Sequence, residues 1–400
     1  MVAWAGEQEL EKVLERSRTT IKVIGCGGSG TNTIQRMTEA GIFGADLYAL
    51  NTDAQHLLHA LVDRKLLIGR KTTRGLGAGS NPELGEAAAR ENGSEIHALV
   101  GNADMVFVTC GLGGGTGTGS APVVAAAAQE AGALTIGVVT LPFTVEGALR
   151  RANADSGLAR LREMTDTVIV IPNDRLLDVA PRLPLNQAFK LADEVLMRAV
   201  KGLTELVTKP GLINLDFADV RTVMKDSGMA MIGFGEAAGQ NKVVESVRKA
   251  LSSPLLEVDV HDAKAALVNV SGGKDMTIED AEGALQEVYR MMNPEARIIW
   301  GVQISPELQN KIQTLLIVTG VTSSQIYAKQ AIKKQEFGIE FLDAVPTREE
   351  IGQHTVATSE QEVKAEEQKS GMPEAPDADA GSKRSNWQVK IKSLVKKIFR

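Results

Sequence analysis

The chain is poor in cysteine, in aromatic residues and in long apolar runs. Two cysteines, Cys26 and Cys110, stand among 400 residues, each inside a glycine-rich turn. So sparse a set excludes a disulfide scaffold and fits a reducing compartment, with both expected as small buried residues. Aromatics make up 4% of a chain that is 43% hydrophobic, so Ala, Val, Leu and Ile must carry the packing. No run of 18 apolar residues occurs, which excludes a helical membrane span. The first twenty residues hold Glu7, Glu9, Glu11 and Glu15 instead of the apolar centre of a secretory signal. Excess positive charge is lacking as well: a net charge of -6 argues against a general nucleic-acid binder, because neutralising phosphates takes a basic surface. No G-x-x-x-x-G-K-[ST] is found, so this is not a P-loop enzyme.

What is present is glycine at particular places. From Ile21 to about Val170, the runs "IKVIG", "LYALN", "MVFVTC", "LTIGVVTLP" and "TVIVIP" alternate with helical segments, which predicts an α/β fold with a parallel, Rossmann-like sheet covered by helices. In such folds ligands collect beyond the carboxyl ends of the strands. Leu191, Val195, Leu196, Ala199, Val200, Leu203 and Leu206 repeat at helical spacing and predict a long core helix over 185–209, apolar over a wide arc. The runs "AMIGFGEA", "AALVNVSG", "RIIWGVQIS" and "TLLIVTGV" predict a smaller α+β domain over 210–330 with helices on one side of its sheet. Residues 1–20 are read as a helical extension. The stretch 343–386 is rich in Glu, Ser, Ala, Pro and Gly, the composition of a disordered linker. Residues 387–400, "WQVKIKSLVKKIFR", alternate apolar and basic positions as a basic amphipathic tail helix.

Two glycine loops end strands. "GCGGSG" (Gly25 to Gly30) follows "IKVI" and precedes a helical stretch, so its amides and the helix N-terminus can face an anion. Taken alone it matches a dinucleotide fingerprint with Asp46 or Asp53 as the ribose acid. The second loop, "GLGGGTGTG" (Gly111 to Gly119), follows "MVFVTC". Glycine loses entropy when ordered, so six in nine positions imply a gain that only bare backbone supplies. Two such cradles with the hydroxyls of Thr116 and Thr118 point to a polyphosphate held by amides instead of lysine.

The loop "GGGTGTGS" resembles the signature of the tubulin and FtsZ superfamily. The likeness to FtsZ, in an archaeal style, continues through "GCGGSGTNTI", "NTDAQ", "TRGLGAGSNP", "VVTLPFTVEG", "IPNDRLL", "AFKLADEVL" and "GLINLDFADVRTVM". The resemblance implies a self-assembling GTPase of cell division with GTP or GDP bound over residues 21–184. Gly28, Ser29, Gly30, Thr31 and Asn32 would contact phosphates, with Asn51 and Asp53 near phosphate and metal. Ala78 and Gly79 would reach the γ-phosphate, and Gly115, Thr116 and Gly117 the phosphate chain. Glu146 and Arg150 would hold the ribose side, Asn173 would lie near sugar and base, Phe189 would stack on guanine, and Asp193 would accept from its N1 and 2-amino donors. Asp216 and Asp219, helped by Asn214, would place the attacking water for a neighbouring subunit.

Asp216 and Asp219 at i and i+3 also fit a plain helix N-terminus. His56 and His59, a turn apart with no third ligand, are read as surface or packing residues. The expected metal is Mg²⁺ carried by the nucleotide phosphates, with no protein cage. The expected partners are further copies of the chain, head to tail, plus an anchoring adaptor or anionic membrane at the tail; the expected place is the cytoplasm, at mid-cell. A non-hydrolysing nucleotide-binding scaffold and an NAD-dependent oxidoreductase are the rival readings.

Overall fold

The computed structural model describes residues 19–320 except 43, 180, 181, 210, 212, 214, 215, 257–259, 261 and 262. The expectations for 1–18, Asn214, 343–386 and 387–400 fall outside them. In chain order the elements are β1 (Ile21–Cys26), α1 (Gly27–Glu39), β2 (Ala45–Asn51), α2 (Ala54–His59), β3 (Arg64–Leu67), α3 (Pro82–Glu91), α4 (Gly93–Val100), β4 (Met105–Gly111), α5 (Thr116–Glu130), β5 (Leu134–Leu141), α6 (Ala148–Glu163), β6 (Thr167–Pro172) and α7 (Asn173–Val179). Then follow α8 (Leu185–Thr208), α9 (Phe217–Met224), β7 (Gly228–Ala238), α10 (Lys242–Leu251), β8 (Ala265–Gly272), α11 (Ile278–Met291), β9 (Arg297–Ile304) and β10 (Lys311–Thr319).

One ten-stranded sheet runs in the order β3-β2-β1-β4-β5-β6-β7-β10-β8-β9. From β3 to β7 every pairing is parallel. β10 is antiparallel to both its neighbours, and β8 pairs parallel with β9. Strands β1, β4 and β5 are almost wholly buried, as continuous apolar runs in a sheet covered on both faces must be. Strand β3, "RKLL", was not anticipated: half of it is exposed and basic, the usual dress of an edge strand, and it has no apolar signal to read.

The strand order reverses between β1 and β4, the topological switch point where open α/β sheets bind ligands beyond their carboxyl ends. Both glycine loops leave the sheet there.

Helix α8 crosses the sheet. Its buried residues Val195, Leu196, Ala199, Val200 and Leu203 share one core with Ile34 and Met37 of α1, Ile136 and Val138 of β5, and Leu267, Leu315 and Ile317 of β8 and β10. The second half of the sheet is therefore covered twice: α10 and α11 seal one face through Val247, Ala250, Ala284 and Val288, and α8 with α9 seals the other. Helices on one side only, the expectation from sequence, is corrected on this point. The reason is that the connecting helix is apolar over a wide arc and has two surfaces to fill.

Because one helix serves both halves, its truncation is felt throughout. Leu203→Ala, at a site 1% exposed, should lower stability by about 3–5 kcal/mol, with a single cooperative transition by both far- and near-UV circular dichroism. Two separated transitions would show that the halves do not share that core.

Candidate functional site: a cleft between two uncapped helix ends

At the switch point lies a cleft of about 300 Å³ lined by both glycine loops and by residues from β5, α6, α7 and α8. Helix α1 starts from Cys26 and α5 from Gly115, each without a side-chain cap and without an acidic residue in its first turn. The orphan amides of two helix N-termini thus converge on one space, which makes it electropositive without lysine. Four other helices are capped: Asp53, Asn81, Asp216 and Thr277 accept from the amides of α2, α3, α9 and α11. Arg150 is the one cation lining the cleft among the described residues.

The glycines are explained differently than expected. A Cβ on Gly27, whose φ is +71°, would stand 2.6 Å from the amide nitrogen of Gly117, and one on Gly117 would stand 3.0 Å from the Cys26 carbonyl. The two loops touch backbone to backbone. Gly119 is required by the Pro82 carbonyl of α3, against which any Cβ would collide. Only Gly114 of the second loop has open space where a side chain would be, and it lines the cleft. Most of these glycines let elements pack closely enough for the amides to converge.

Around the cleft the expected residues separate into groups. Gly28, Ser29, Gly115, Thr116, Gly117, Glu146, Arg150, Asn173, Phe189 and Asp193 line it. Gly30 is buried against the Thr109 carbonyl, and Thr31 is buried with its hydroxyl 3.5 Å from Asn51 Nδ2. Asn32, Asn51 and Asp53 form a set beside the cleft around His56. Ala78 is buried beneath Gly115, while Ser80, the second residue after it, lines the cleft. Gly79 at φ +53° turns the chain between them. Asp216 and Asp219 are not in the cleft: Asp216 Oδ1 accepts from the Asp219 amide at 2.7 Å, capping α9.

Glu146 Oε1 accepts from the Phe143 amide at 2.9 Å and Oε2 from Arg150 at 2.7 Å. Phe189 meets Phe143 edge to face at 5.3 Å and is 37% exposed, leaving ring surface open. Asn173 Oδ1 is buried with no hydrogen-bond partner, an unpaid desolvation unless a ligand donor fills it. Asp193 accepts from Ser29 Oγ at 3.3 Å and pairs with Arg36 at 3.6 Å. Burial pushes its carboxyl up to about 6, against the pull of Arg36 and Ser29. Beneath the loops, Cys26 and Cys110 are buried and unpaired, burial raising both thiols.

The family model for the Tubulin/FtsZ family, GTPase domain, matches residues 20–181, and that for the FtsZ family, C-terminal domain, matches 228–322. The chain belongs to the FtsZ family. It is 65% identical over 337 residues to the cell division protein FtsZ 1 of Archaeoglobus fulgidus, covering 84% of this chain and 92% of that relative. An empty FtsZ dimer from M. jannaschii matches with a TM-score of 0.75 at 53% identity, over 78% of this chain and 92% of that one. CetZ2 from Haloferax volcanii, solved as a GTPγS-bound protofilament, matches at 0.70 and 25% identity, over 80% and 100%. The chain is thus a GTPase of cell division, and the cleft is lined from the GTPase domain that the family model outlines together with Phe189, Ala192 and Asp193 of α8.

Sequence reasoning missed His56, Ser80, Thr140 and Thr52. Thr52 Oγ1 lies 2.6 Å from Thr116 Oγ1 and so ties the strand β2 loop to the start of α5. His56, read from the sequence as a surface or packing residue, bridges Asn32 and Asn51 through its ring.

The two kinds of glycine are separable by experiment. Gly27→Ala should lose about 1–3 kcal/mol of nucleotide-free stability through the collision with Gly117. Gly114→Ala should stay within about 0.5 kcal/mol of the parent. Chemical denaturation without nucleotide checks both; equal losses would refute the division.

Proposed function

We propose that the cleft binds GTP and that hydrolysis is completed by the next copy of the chain in a head-to-tail filament of the division ring. The observation that carries this reading is the placement of carboxylates. The acids lining the cleft are Glu146 and Asp193, and both are engaged, Glu146 by the Phe143 amide and Arg150, Asp193 by Ser29 and Arg36. Neither is available to orient water at a γ-phosphate. Helix α8 carries the chain away from the cleft. Its Asp193 end is at the carboxyl edge of the sheet, beside Ser29, and its Thr208 end is at the amino edge, where a Cβ on Gly44 would stand 2.6 Å from Thr208. At about 1.5 Å per residue those ends are roughly 22 Å apart. Asp216 and Asp219 follow Thr208, so they serve another subunit's cleft.

In this reading the amides of α1 and α5 hold the phosphates, Gly114 and Ser80 let the chain approach, and Arg150 with Glu146 holds the ribose side. Asn173 Oδ1 accepts a donor of sugar or base. Phe189 stacks on the base. The Asp193 carboxylate accepts from N1–H and the 2-amino group of guanine, an edge that adenine lacks. Asp216, Asp219 and Asn214 of the next subunit place the water that attacks the γ-phosphorus as its bond to the β-phosphate oxygen breaks, chemistry in which positioning supplies most of the acceleration. Among the described residues no three of His, Cys, Asp and Glu gather to hold a metal. A Mg²⁺ would be held by phosphate oxygens and water, with Asp53 nearby, and would neutralise charge on the phosphates. A repeating interface of this kind is heterologous and builds an open filament. The basic tail at 387–400 supports attachment at mid-cell, on the cytoplasmic side, through an adaptor or anionic lipid, where each Lys or Arg adds roughly 1 kcal/mol.

GTPase rate per subunit should rise steeply with protein concentration, and Asp219→Ala should bind GTP normally while its turnover falls by about 100-fold or more. A rate per subunit that is flat from dilute to concentrated protein would falsify the shared site.

Asp193 yields a second test. Its folded value, about 6, lies above the usual unfolded carboxylate value of about 3.9. Between these the empty folded state binds the extra proton, so this group adds stability as pH falls from about 6 toward 4. GTP affinity should fall over the same range, because a protonated carboxyl no longer accepts both guanine donors. Melting curves and GTP titrations at several pH values check the opposite signs; Asp193→Asn should flatten both.

A further inference from the structure

His56 sits between the glycine loop that follows β1 and the loop that follows β2. Asn51 Oδ1 accepts from the amides of Thr52 at 2.9 Å and Asp53 at 3.3 Å, which settles the orientation of that side chain: its Nδ2 is the end turned to the imidazole, 3.4 Å from His56 Nδ1. An amide nitrogen can only donate, so Nδ1 of the ring must accept. The hydrogen is then on Nε2, which donates to Asn32 Oδ1 at 3.0 Å. The backbone is fixed too, the His56 amide donating to Asp53 Oδ1 at 2.9 Å. On its other side the ring flanks the first loop, since a Cβ on Gly28 would lie 3.6 Å from Cε1 and Nδ1. Asn32 is exposed in the second turn of α1; with its oxygen taken by the histidine, its Nδ2 is the polar atom left to face a ligand.

We propose that His56 is a positioning residue for the triphosphate, its Nε2–H tautomer fixing Asn32 so that the Asn32 Nδ2 is left for the phosphate side of the cleft, and holding Asn51 with its Oδ1 on the Thr52 and Asp53 amides of the loop after β2. The proposal rests on the reading of the cleft as a GTP site. The histidine touches no reacting atom. It couples the first glycine loop to the loop after β2, so that a phosphate group held by one finds the other already ordered, and its removal is felt as weaker binding of phosphate-bearing ligands.

The test uses the full chain with GTP, GDP and guanosine. His56→Ala should raise the Kd and the KM for GTP by roughly tenfold, the size of one to two hydrogen bonds. The effect should shrink from GTP to GDP and vanish for guanosine, which has no phosphate, and kcat at saturating GTP should change far less than KM. His56→Gln, whose amide can accept from Asn51 and donate to Asn32, should recover most of the loss. A merely structural histidine would instead lower nucleotide-free stability, weaken guanosine along with GTP, and gain nothing from glutamine. An Ala variant with parental GTP affinity, or a Gln variant no better than Ala, would overturn the proposal while leaving the GTP site standing. A parent chain that binds no GTP would overturn both.

Discussion

The contact on which the rest depends is the backbone approach of Gly27 to Gly117. Two strands adjacent in the sheet, β1 and β4, each end in a turn that starts a helix. Helix N-termini repel one another through their partial positive charge, and a side chain at either glycine would hold them further apart still. Removing both Cβ atoms brings the first turns of α1 and α5 together, and the uncapped amides of each then point into one volume. An anion placed there satisfies donors that the protein leaves without partners. A lysine-free site is the outcome, because the field comes from the backbone and its strength is fixed by geometry.

The long helix α8 converts that local site into a property of the whole subunit. It offers Phe189 and Asp193 to the cleft at one end and reaches Gly44 at the opposite edge of the sheet through Thr208. Packed on both halves of the sheet through one core, it cannot shift at one end without disturbing the other. Under the proposed reading, a rigid strut of this kind fixes the distance between the cleft and Thr208, from which the chain leads on to Asp216. That is what a repeating assembly needs if each subunit is to present the same turn to the next.

The fold was legible in the chain because its strands are buried on both faces and read as unbroken apolar runs, and because α8 has a single strong period. Strand β3 was not, since an exposed edge of four residues with Arg64 and Lys65 carries no such run. The glycine loops were legible as parts of one cleft, but partly for the wrong reason: glycine was taken to mean contact with a ligand, while Gly119 and Gly27 answer to neighbouring backbone. Sequence records that a Cβ is excluded but not what excludes it. His56 was missed for a related reason. Its partners Asn32 and Asn51 lie on other elements, 24 and 5 residues away, and neither spacing is a recognisable motif.

The acidic turn shows why the capping and catalytic readings of Asp216 are compatible. Its Oδ1 is bound by the Asp219 amide, which removes the rotational freedom of that carboxylate and anchors it to the first turn of α9. Oδ2 is not consumed by the cap. A carboxylate held in this way meets two demands of a group that must place water across an interface: it is charged, and it is rigid before its partner arrives. A free side chain would have to be ordered at the moment of assembly, at a cost of roughly 0.5–1.5 kcal/mol in the interface. The cap has already supplied that order, so under the proposed reading the feature that looks merely structural in one subunit is what would allow it to act in the next.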